Sequence, residues 1–230
     1  MAQTPPPDRA RPATMRRRAG LACWLVQPVY LVVELLVAAA ASSAYSLRDD
    51  TISTLGQVRC ILGDGGVVVG VCSSGHAVMN AGLVVFGLLR ALGALLLRDH
   101  FRPSRWRTAA TSLWVLSGIS SAAVGLAPVD QYPGVHALVA TPIFVLQPLA
   151  ILATVGAVGQ GVSAAVRSTG LMAGALSAIG SLGFGARLGQ PTWGGGLERL
   201  ALWPAYVWLG ILAASLVAAT RPAHLRRTVP

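Results

Sequence analysis

Side chains that could bind a ligand or catalyse a reaction collect in the short stretches between the apolar runs of this sequence. Two histidines with a nearby carboxylate can hold a zinc ion, and serine, histidine and aspartate can form a nucleophile with its base. The spacings match no local signature of either site, and polar residues also gather at helix ends as caps. A binding site, a catalytic site and a purely structural role therefore stay open for one group: Asp50, Ser53, His76, Asn80, Asp130, His136, Glu198 and Arg199.

The two histidines are expected to face one cavity. His76 and Asn80 are four residues apart and share a helix face, and His136 and Gln147 are eleven apart, about 20° around a helix. Polar faces in lipid turn inward, because unsatisfied groups there are costly. We predict a shared pocket with the two imidazoles within roughly 10 Å, too far apart for one metal ion. If a metal is bound, His76 and His136 are the ligands to expect. The sequence leaves open whether a metal or another cofactor is bound.

Glu34 lies within the apolar stretch LVVELLV and is the outstanding charge inside an apolar run. Such a group is costly in a membrane unless it pairs or faces the interior, so it indicates a functional site. Arg90 is the available counter-ion within another run. The alternative is a protonated, hydrogen-bonded Glu34, with Arg90 extending to the lipid headgroups.

The cysteines predict one disulfide. Cys60 and Cys72 enclose a glycine-rich stretch between two apolar runs. We predict that they pair, because disulfides persist outside the cytoplasm, where the orientation below places them. Cys23 lies within an apolar run and is interpreted as a packing residue.

The elements that must position these residues are membrane helices. The chain of 230 residues is 54% hydrophobic and 11% charged, with a mean hydropathy of +0.63, whereas a soluble domain carries about 25% charged residues. A helix needs about 20 apolar residues to cross a bilayer. Six runs meet or approach this length and predict an all-α bundle of six transmembrane helices: Gly20–Ser43, His76–Leu97, Thr108–Ala127, His136–Val158, Thr169–Gly185 and Leu200–Ala219.

The arginines predict the orientation of the bundle. Thirteen lie on one side of the predicted spans and four on the other, with Arg90 inside a span. By the positive-inside rule both termini are cytoplasmic. We therefore expect a disordered Arg/Pro-rich cytoplasmic tail over residues 1–19, a membrane domain over 20–219 and a cytoplasmic tail over 220–230. Because the arginines lie between apolar runs and form no basic face, nucleic acid is excluded as a partner.

Four ordered motifs resemble a known family. They are YSLRDDTISTLG (Tyr45–Gly56), CSSGHAVMNAG (Cys72–Gly82), HALVATPIF (His136–Phe144) and GGLERLALWPAYVW (Gly195–Trp208). Together they resemble the bacterial membrane family known as domain of unknown function 998 (DUF998). The loop after the first span is also similar, more weakly, to Frag1/DRAM/Sfk1 membrane proteins. The resemblance implies a multi-pass protein of the bacterial cell membrane and supplies no established reaction.

The sequence favours a membrane protein with a polar pocket that opens to the extracytoplasmic side and binds or moves a small or lipidic ligand. The alternative is a membrane-embedded hydrolase or transferase that acts on lipid through a His/Asp/Glu site, with or without zinc. Substrate, protein partners and oligomeric state are left open by the sequence.

Overall fold

The structure is a computed structural model that describes residues 10–41, 45–60, 71–158, 162–187 and 190–219. Within these ranges the secondary structure is helical and contains no strand. The α-helices are α1 (Ala10–Leu25), α2 (Val29–Ala40), α3 (His76–Leu97), α4 (Arg105–Leu126), α5 (Pro133–Val158), α6 (Ala164–Ala186) and α7 (Gly194–Ala219). Two short 3-10 helices, Ile52–Gly56 and Arg98–His100, lie between them.

In the described part of the chain, six helical stretches are long and apolar enough to cross a membrane, which confirms the predicted six-helix membrane protein. The first combines α1 and α2, and the other five begin with α3, α4, α5, α6 and α7. Five of the six spans begin before their predicted runs, and α3 matches its run, His76–Leu97. α1 begins at Ala10 instead of Gly20, and α7 begins at Gly194 instead of Leu200. The start of α7 was missed because its first two turns contain glycines and charged residues that hydropathy does not detect. The orientation of the termini stays a prediction.

The first span is broken at Pro28. Proline has no backbone N–H to donate and its ring clashes with the preceding turn, so it interrupts a helix. α1 ends at Leu25, and α2 begins at Val29 after a turn. The proline ring packs on Gly210 of α7, where a Cβ atom would stand 2.5 Å from the ring. At the break, Pro28 therefore packs against a position on α7 where any side chain larger than that of glycine would collide with the proline ring.

The predicted disordered tail over residues 1–19 is corrected in its second half, because α1 begins at Ala10. Pro12 is tolerated there since the first turn of a helix needs no N–H donor. Two of the arginines that follow have partners: Arg16 pairs with Asp99 at 3.1 Å, and Arg17 donates to the Leu216 carbonyl. Residues 1–9 and 220–230 lie outside the described part of the chain.

Close helix packing in the bundle depends on small residues. Gly87 of α3 and Gly118 of α4 stand so close that a Cβ on either would meet the other's carbonyl oxygen. Gly180 of α6 is similarly close to the backbone of Ala201 on α7. Small residues in membrane helices allow this approach. The helices therefore form one bundle. Three of them (α2, α4 and α6) end at one common end of the bundle, and the three that follow them in the chain (α3, α5 and α7) begin there.

Candidate functional site

Residues 45–60, which we call the cap segment, lie against this common end, the capped end of the bundle. Side chains from two helices and one loop hold its 3-10 helix by the backbone. Glu198 of α7 accepts a hydrogen bond from the Ile52 N–H at 2.5 Å. Ser73 donates to the Leu55 carbonyl at 2.6 Å, and Asn80 of α3 donates to the Gly56 carbonyl at 2.9 Å. Two of the candidate ligand-binding residues, Glu198 and Asn80, are thus used to position the chain.

The aspartates of this region also bind backbone groups. Asp50 accepts from the Ser46 N–H at 2.7 Å, and Asp130 accepts from the Val58 and Arg59 N–H groups at 2.9–3.2 Å. Asp49 accepts from the Trp193 N–H at 2.9 Å. The hydrogen bond from Arg48, together with the Trp193 N–H, lowers the pKa of the Asp49 carboxyl to about 2. The Asp49 and Asp130 carboxylates thus connect the two ends of the cap segment to other parts of the chain, whereas the Asp50 bond lies within the segment.

Cys60 and Cys72 are joined by a disulfide, and their Cα atoms are 4.8 Å apart. The bond links the last residue of the cap segment to the loop that leads into α3. Cys23 is a buried free thiol.

Glu34 pairs with Arg199, which corrects the predicted pairing with Arg90. The Nε atom of Arg199 lies 2.9 Å from Oε1 of Glu34, and Trp203 donates to Oε2 at 3.0 Å. Arg199 also donates to the Leu47 and Asp50 carbonyls at 2.7 and 3.0 Å, and to the Tyr45 hydroxyl. Burial raises the pKa of Tyr45 to about 12, so its hydroxyl remains protonated. One guanidinium therefore joins α2, α7 and the cap segment.

Arg90 does not extend to the headgroups, because its side chain is fully buried. It lies 4.3 Å from the ring centre of Tyr206 and 5.9 Å from that of Trp114, and it donates to Ser117 at 3.3 Å. Aromatic faces attract cations in this arrangement. Its Nε and Nη2 atoms have no hydrogen-bond partner within the described residues.

His136 and Ser53 are two candidate residues whose side chains contact each other. The Nε2 atom of His136 lies 2.9 Å from the Ser53 hydroxyl, and its Nδ1 atom lies 2.7 Å from the Ala127 carbonyl. His76 makes a different contact, since its Nδ1 atom lies 2.9 Å from the Ser73 carbonyl. The two imidazoles thus have separate partners, and the shared pocket stays a prediction. Over the ranges that the structure describes, no three His, Cys, Asp or Glu side chains converge to hold a metal ion.

A groove between α6 and α7 has a volume of about 490 Å³. It opens on the surface of the bundle, and its lining is apolar apart from Thr169 and Arg199: Met172, Ala173, Leu176, Gly196, Leu200, Trp203, Pro204, Val207, Trp208 and Ile211 complete it. Towards the capped end, the same two helices form a second pocket of about 350 Å³. Arg187 and Trp193 line this second pocket, and both are exposed.

Another groove, on the outer face of α3, has a volume of about 520 Å³. Its described lining is entirely apolar: Val85, Leu88, Leu89, Ala91, Leu92 and Leu95. The α6/α7 groove differs from it by its proximity to arginine and tryptophan side chains at the capped end.

Sequence reasoning missed Arg199 as the counter-ion of Glu34, because α7 was predicted to begin after it. The signal was present in the sequence, since Glu198 and Arg199 lead directly into an apolar run. Sequence reasoning also missed Tyr45 and Trp203. Tyr45 accepts a hydrogen bond from Arg199, and Trp203 donates one to Glu34.

A family model described as "Protein of unknown function (DUF998)" matches residues 25–215, most of the chain. No curated protein and no solved structure matches the chain.

Proposed function

The chain belongs to the DUF998 family, and we propose that it binds a lipid with an anionic headgroup in the groove between α6 and α7, within a bacterial cell membrane. The observation that carries this proposal is the combination of an apolar groove with an arginine-bearing pocket on the same pair of helices. With the orientation that the arginines predict, the capped end is extracytoplasmic and the lipid belongs to the outer leaflet.

The groove has the size and chemistry of an acyl-chain site. Ligand sites in proteins span about 300–1,000 Å³ and are mostly apolar, and the α6/α7 groove falls in this range at about 490 Å³. Lipid-facing side chains on both walls are partly exposed, among them Met172, Leu176 and Ile211. A small polar ligand has few partners on such a surface, so the lining favours a lipid over the predicted small molecule.

Arg187 supplies selectivity for the headgroup. It is exposed at the end of α6, and no carboxylate among the described residues pairs with it. Trp193 beside it is the kind of residue that lies at the boundary between lipid and water. Arg48 lies 5.8 Å from the centre of the Trp193 ring, but it is paired with Asp49 at 2.9 Å, so among the described residues Arg187 carries the unpaired positive charge at this position. A phosphate group above the groove would meet this charge.

Arg199, although it lines the groove, is not the headgroup ligand in this proposal. Its guanidinium already contacts Glu34, two backbone carbonyls and the Tyr45 hydroxyl. It serves to hold the wall of the groove in place.

Native mass spectrometry of the purified protein tests the proposal, with phosphatidylglycerol and phosphatidylethanolamine supplied in equal amounts. We expect retention of the anionic lipid. Arg187→Gln should lower the preference roughly fivefold, since one arginine near a membrane surface contributes about 1 kcal/mol. Leu176→Trp, which fills the groove, should reduce retention of both lipids.

The matched control is Leu92→Trp in the α3 groove, whose described lining contains no arginine. This substitution should leave the preference for the anionic lipid unchanged. Equal retention of both lipids by the wild-type protein, or the same lipid profile for all three variants, would refute the proposal.

A further inference from the structure

We propose that Ser53 and His136 form a nucleophile–base pair that cleaves carboxylic ester bonds in lipids at the capped end of the bundle. This activity is independent of the lipid groove, because it uses residues on the cap segment and α5 and not on α6 and α7. Either proposal can therefore fail without the other.

The geometry of the pair is that of an activated serine. A nucleophile and its base must lie within about 2.6–3.2 Å, and the Ser53 hydroxyl lies 2.9 Å from Nε2 of His136. A carbonyl oxygen can only accept, so the 2.7 Å contact with Ala127 places a proton on Nδ1 of His136. Neutral imidazole carries one proton. Nε2 is then the acceptor, and the Ser53 hydroxyl donates to it.

The Ala127 carbonyl takes the orienting position that a carboxylate occupies in many serine hydrolases. It fixes both the tautomer and the direction of the ring. His136 is buried, at 7% exposure, and lies in the first turn of α5. Its base nitrogen is therefore held in place and shielded from water on most sides.

Ser53 is equally well positioned, because its 3-10 helix is fastened on both sides. Glu198 holds the N–H of the preceding residue, Ile52, and Ser73 holds the carbonyl of Leu55. Catalytic groups depend on such support from surrounding hydrogen bonds. Ser53 itself is half-buried, and the proposal requires that a substrate reach its hydroxyl from outside the bundle.

This contact differs from most of the bonds that hold the cap segment, although Arg199 also binds one of its side chains, the Tyr45 hydroxyl. Glu198, Ser73, Asn80 and Asp130 all bind backbone groups, as a structural clamp requires. The Ser53–His136 contact joins two side chains whose facing atoms are a hydroxyl and a basic nitrogen. A structural role alone needs no such pairing of reactive groups.

The reaction that the pair can perform is acyl transfer through serine. The Ser53 oxygen attacks the ester carbonyl carbon, and its proton passes to Nε2 of His136. The carbon–oxygen bond to the alcohol breaks, and the alcohol leaves with that proton. A water molecule then attacks the acyl-serine and gives a proton to Nε2. The carbon–oxygen bond to Ser53 breaks, the carboxylic acid leaves, and Nε2 returns the proton to the Ser53 oxygen.

Position in the membrane indicates the substrate class. Ser53 lies on the cap segment and His136 in the first turn of α5, so we expect both at the membrane–water boundary when the helices span a bilayer. The ester bonds of glycerolipids occupy the same boundary between acyl chains and headgroups. Lipid esters are thus the substrates that can meet this pair without leaving the bilayer.

Covalent labelling with a long-chain fluorophosphonate tests the proposal on the purified full-length protein, with the adduct located by peptide mass spectrometry. We expect an adduct on Ser53 in the wild-type protein and none in Ser53→Ala. His136→Gln should label at least about 100-fold more slowly, the usual contribution of a general base. The control Ser74→Ala removes another hydroxyl at the capped end, one that donates to the Ala40 carbonyl, and should label at the wild-type rate.

An unmodified Ser53 in folded wild-type protein, or wild-type labelling of His136→Gln, overturns the proposal and leaves the contact a structural tether. Thermal unfolding in detergent checks the folding of each variant. If His136→Gln is unfolded, the decision rests on the wild-type protein, since that experiment needs no substitution.

Discussion

Two arginines of this protein are buried in the membrane domain, and their surroundings differ. Arg199, 5% exposed, contacts a carboxylate, two carbonyls and a hydroxyl. Arg90, fully buried, contacts two aromatic rings and one serine. Two of its nitrogen atoms are without a hydrogen-bond partner among the described residues.

This difference shows that burial alone does not determine how much a charged residue contributes to the stability of the fold. The Arg199 contacts connect three separate parts of the chain, so the ion pair defines where the cap segment lies. Arg90 contacts α4 and α7 side chains within the bundle, and a buried donor without a partner costs about 1–3 kcal/mol. We therefore expect Arg199 to stabilise the fold strongly and Arg90 to contribute little.

The largest expected effect is that of Arg199→Met. It leaves Glu34 buried without its counter-ion, and breaking a buried pair in this way costs about 3–5 kcal/mol. The free energy of reversible unfolding in mixed micelles measures it. Adding Glu34→Gln should restore part of the loss, because the unpaired charge is then removed.

The matched control for that measurement is Arg16→Gln. The Arg16–Asp99 pair has a similar distance, 3.1 Å, but its side chains are 49% and 60% exposed. Exposed pairs contribute about 0–1 kcal/mol. If Arg199→Met costs no more than this control, the distinction between the two buried arginines loses its basis.

A smaller effect is expected from Arg90→Met. Methionine is apolar, flexible and able to fill the space between the rings of Trp114 and Tyr206. Replacing a buried charge by an apolar side chain is often neutral or stabilising, so we expect an unfolding free energy within about 1 kcal/mol of the wild type, or above it. A loss as large as that of Arg199→Met would show that the two arginines are equivalent.

The smallest effect concerns Asp49, whose half-buried carboxylate pairs with the exposed Arg48. The pKa of Asp49 is about 2 in the folded chain, below its ordinary value of 3.8. Its contribution to stability is therefore complete above the ordinary value and is lost as the pH falls from there through about 2. Unfolding midpoints at roughly pH 5 and pH 2.5 should differ less in Asp49→Asn than in the wild type. An equal change of the unfolding midpoint between these two pH values in both proteins would exclude this linkage.

The six spans were predictable because a bilayer imposes a length and an apolar composition that any sequence must display. The partners of the charged residues were harder to predict. Glu34 was recognised as a buried charge, and the alternatives were a protonated Glu34 or a pair with Arg90, because Arg90 was the arginine that lay inside a predicted span. Arg199 was assigned to a loop, since glycine and charged residues at the start of α7 lower its local hydropathy.

The roles of the polar residues at the capped end show the same limit. Ser53 and His136 were both candidates, but they are 83 residues apart, and their contact follows only from how the cap segment lies on α5. Asp50, Asp130 and Glu198 were candidates for ligand binding, whereas their carboxylates hold backbone N–H groups. Residue type indicates what a side chain can do, and the packing of the segment decides which partner it has.

The sequence by itself determined that this chain is a six-span membrane protein and that its polar residues collect at the ends of the spans. It did so through local properties: the length of each apolar run and the types of the residues between runs. The tertiary structure alone decided that Arg199 neutralises Glu34, that Arg90 lies among aromatic rings and that Ser53 meets His136. The reason is physical, because ion pairs and hydrogen bonds act over a few ångströms, and such proximity between distant residues exists only once the helices and the cap segment have packed.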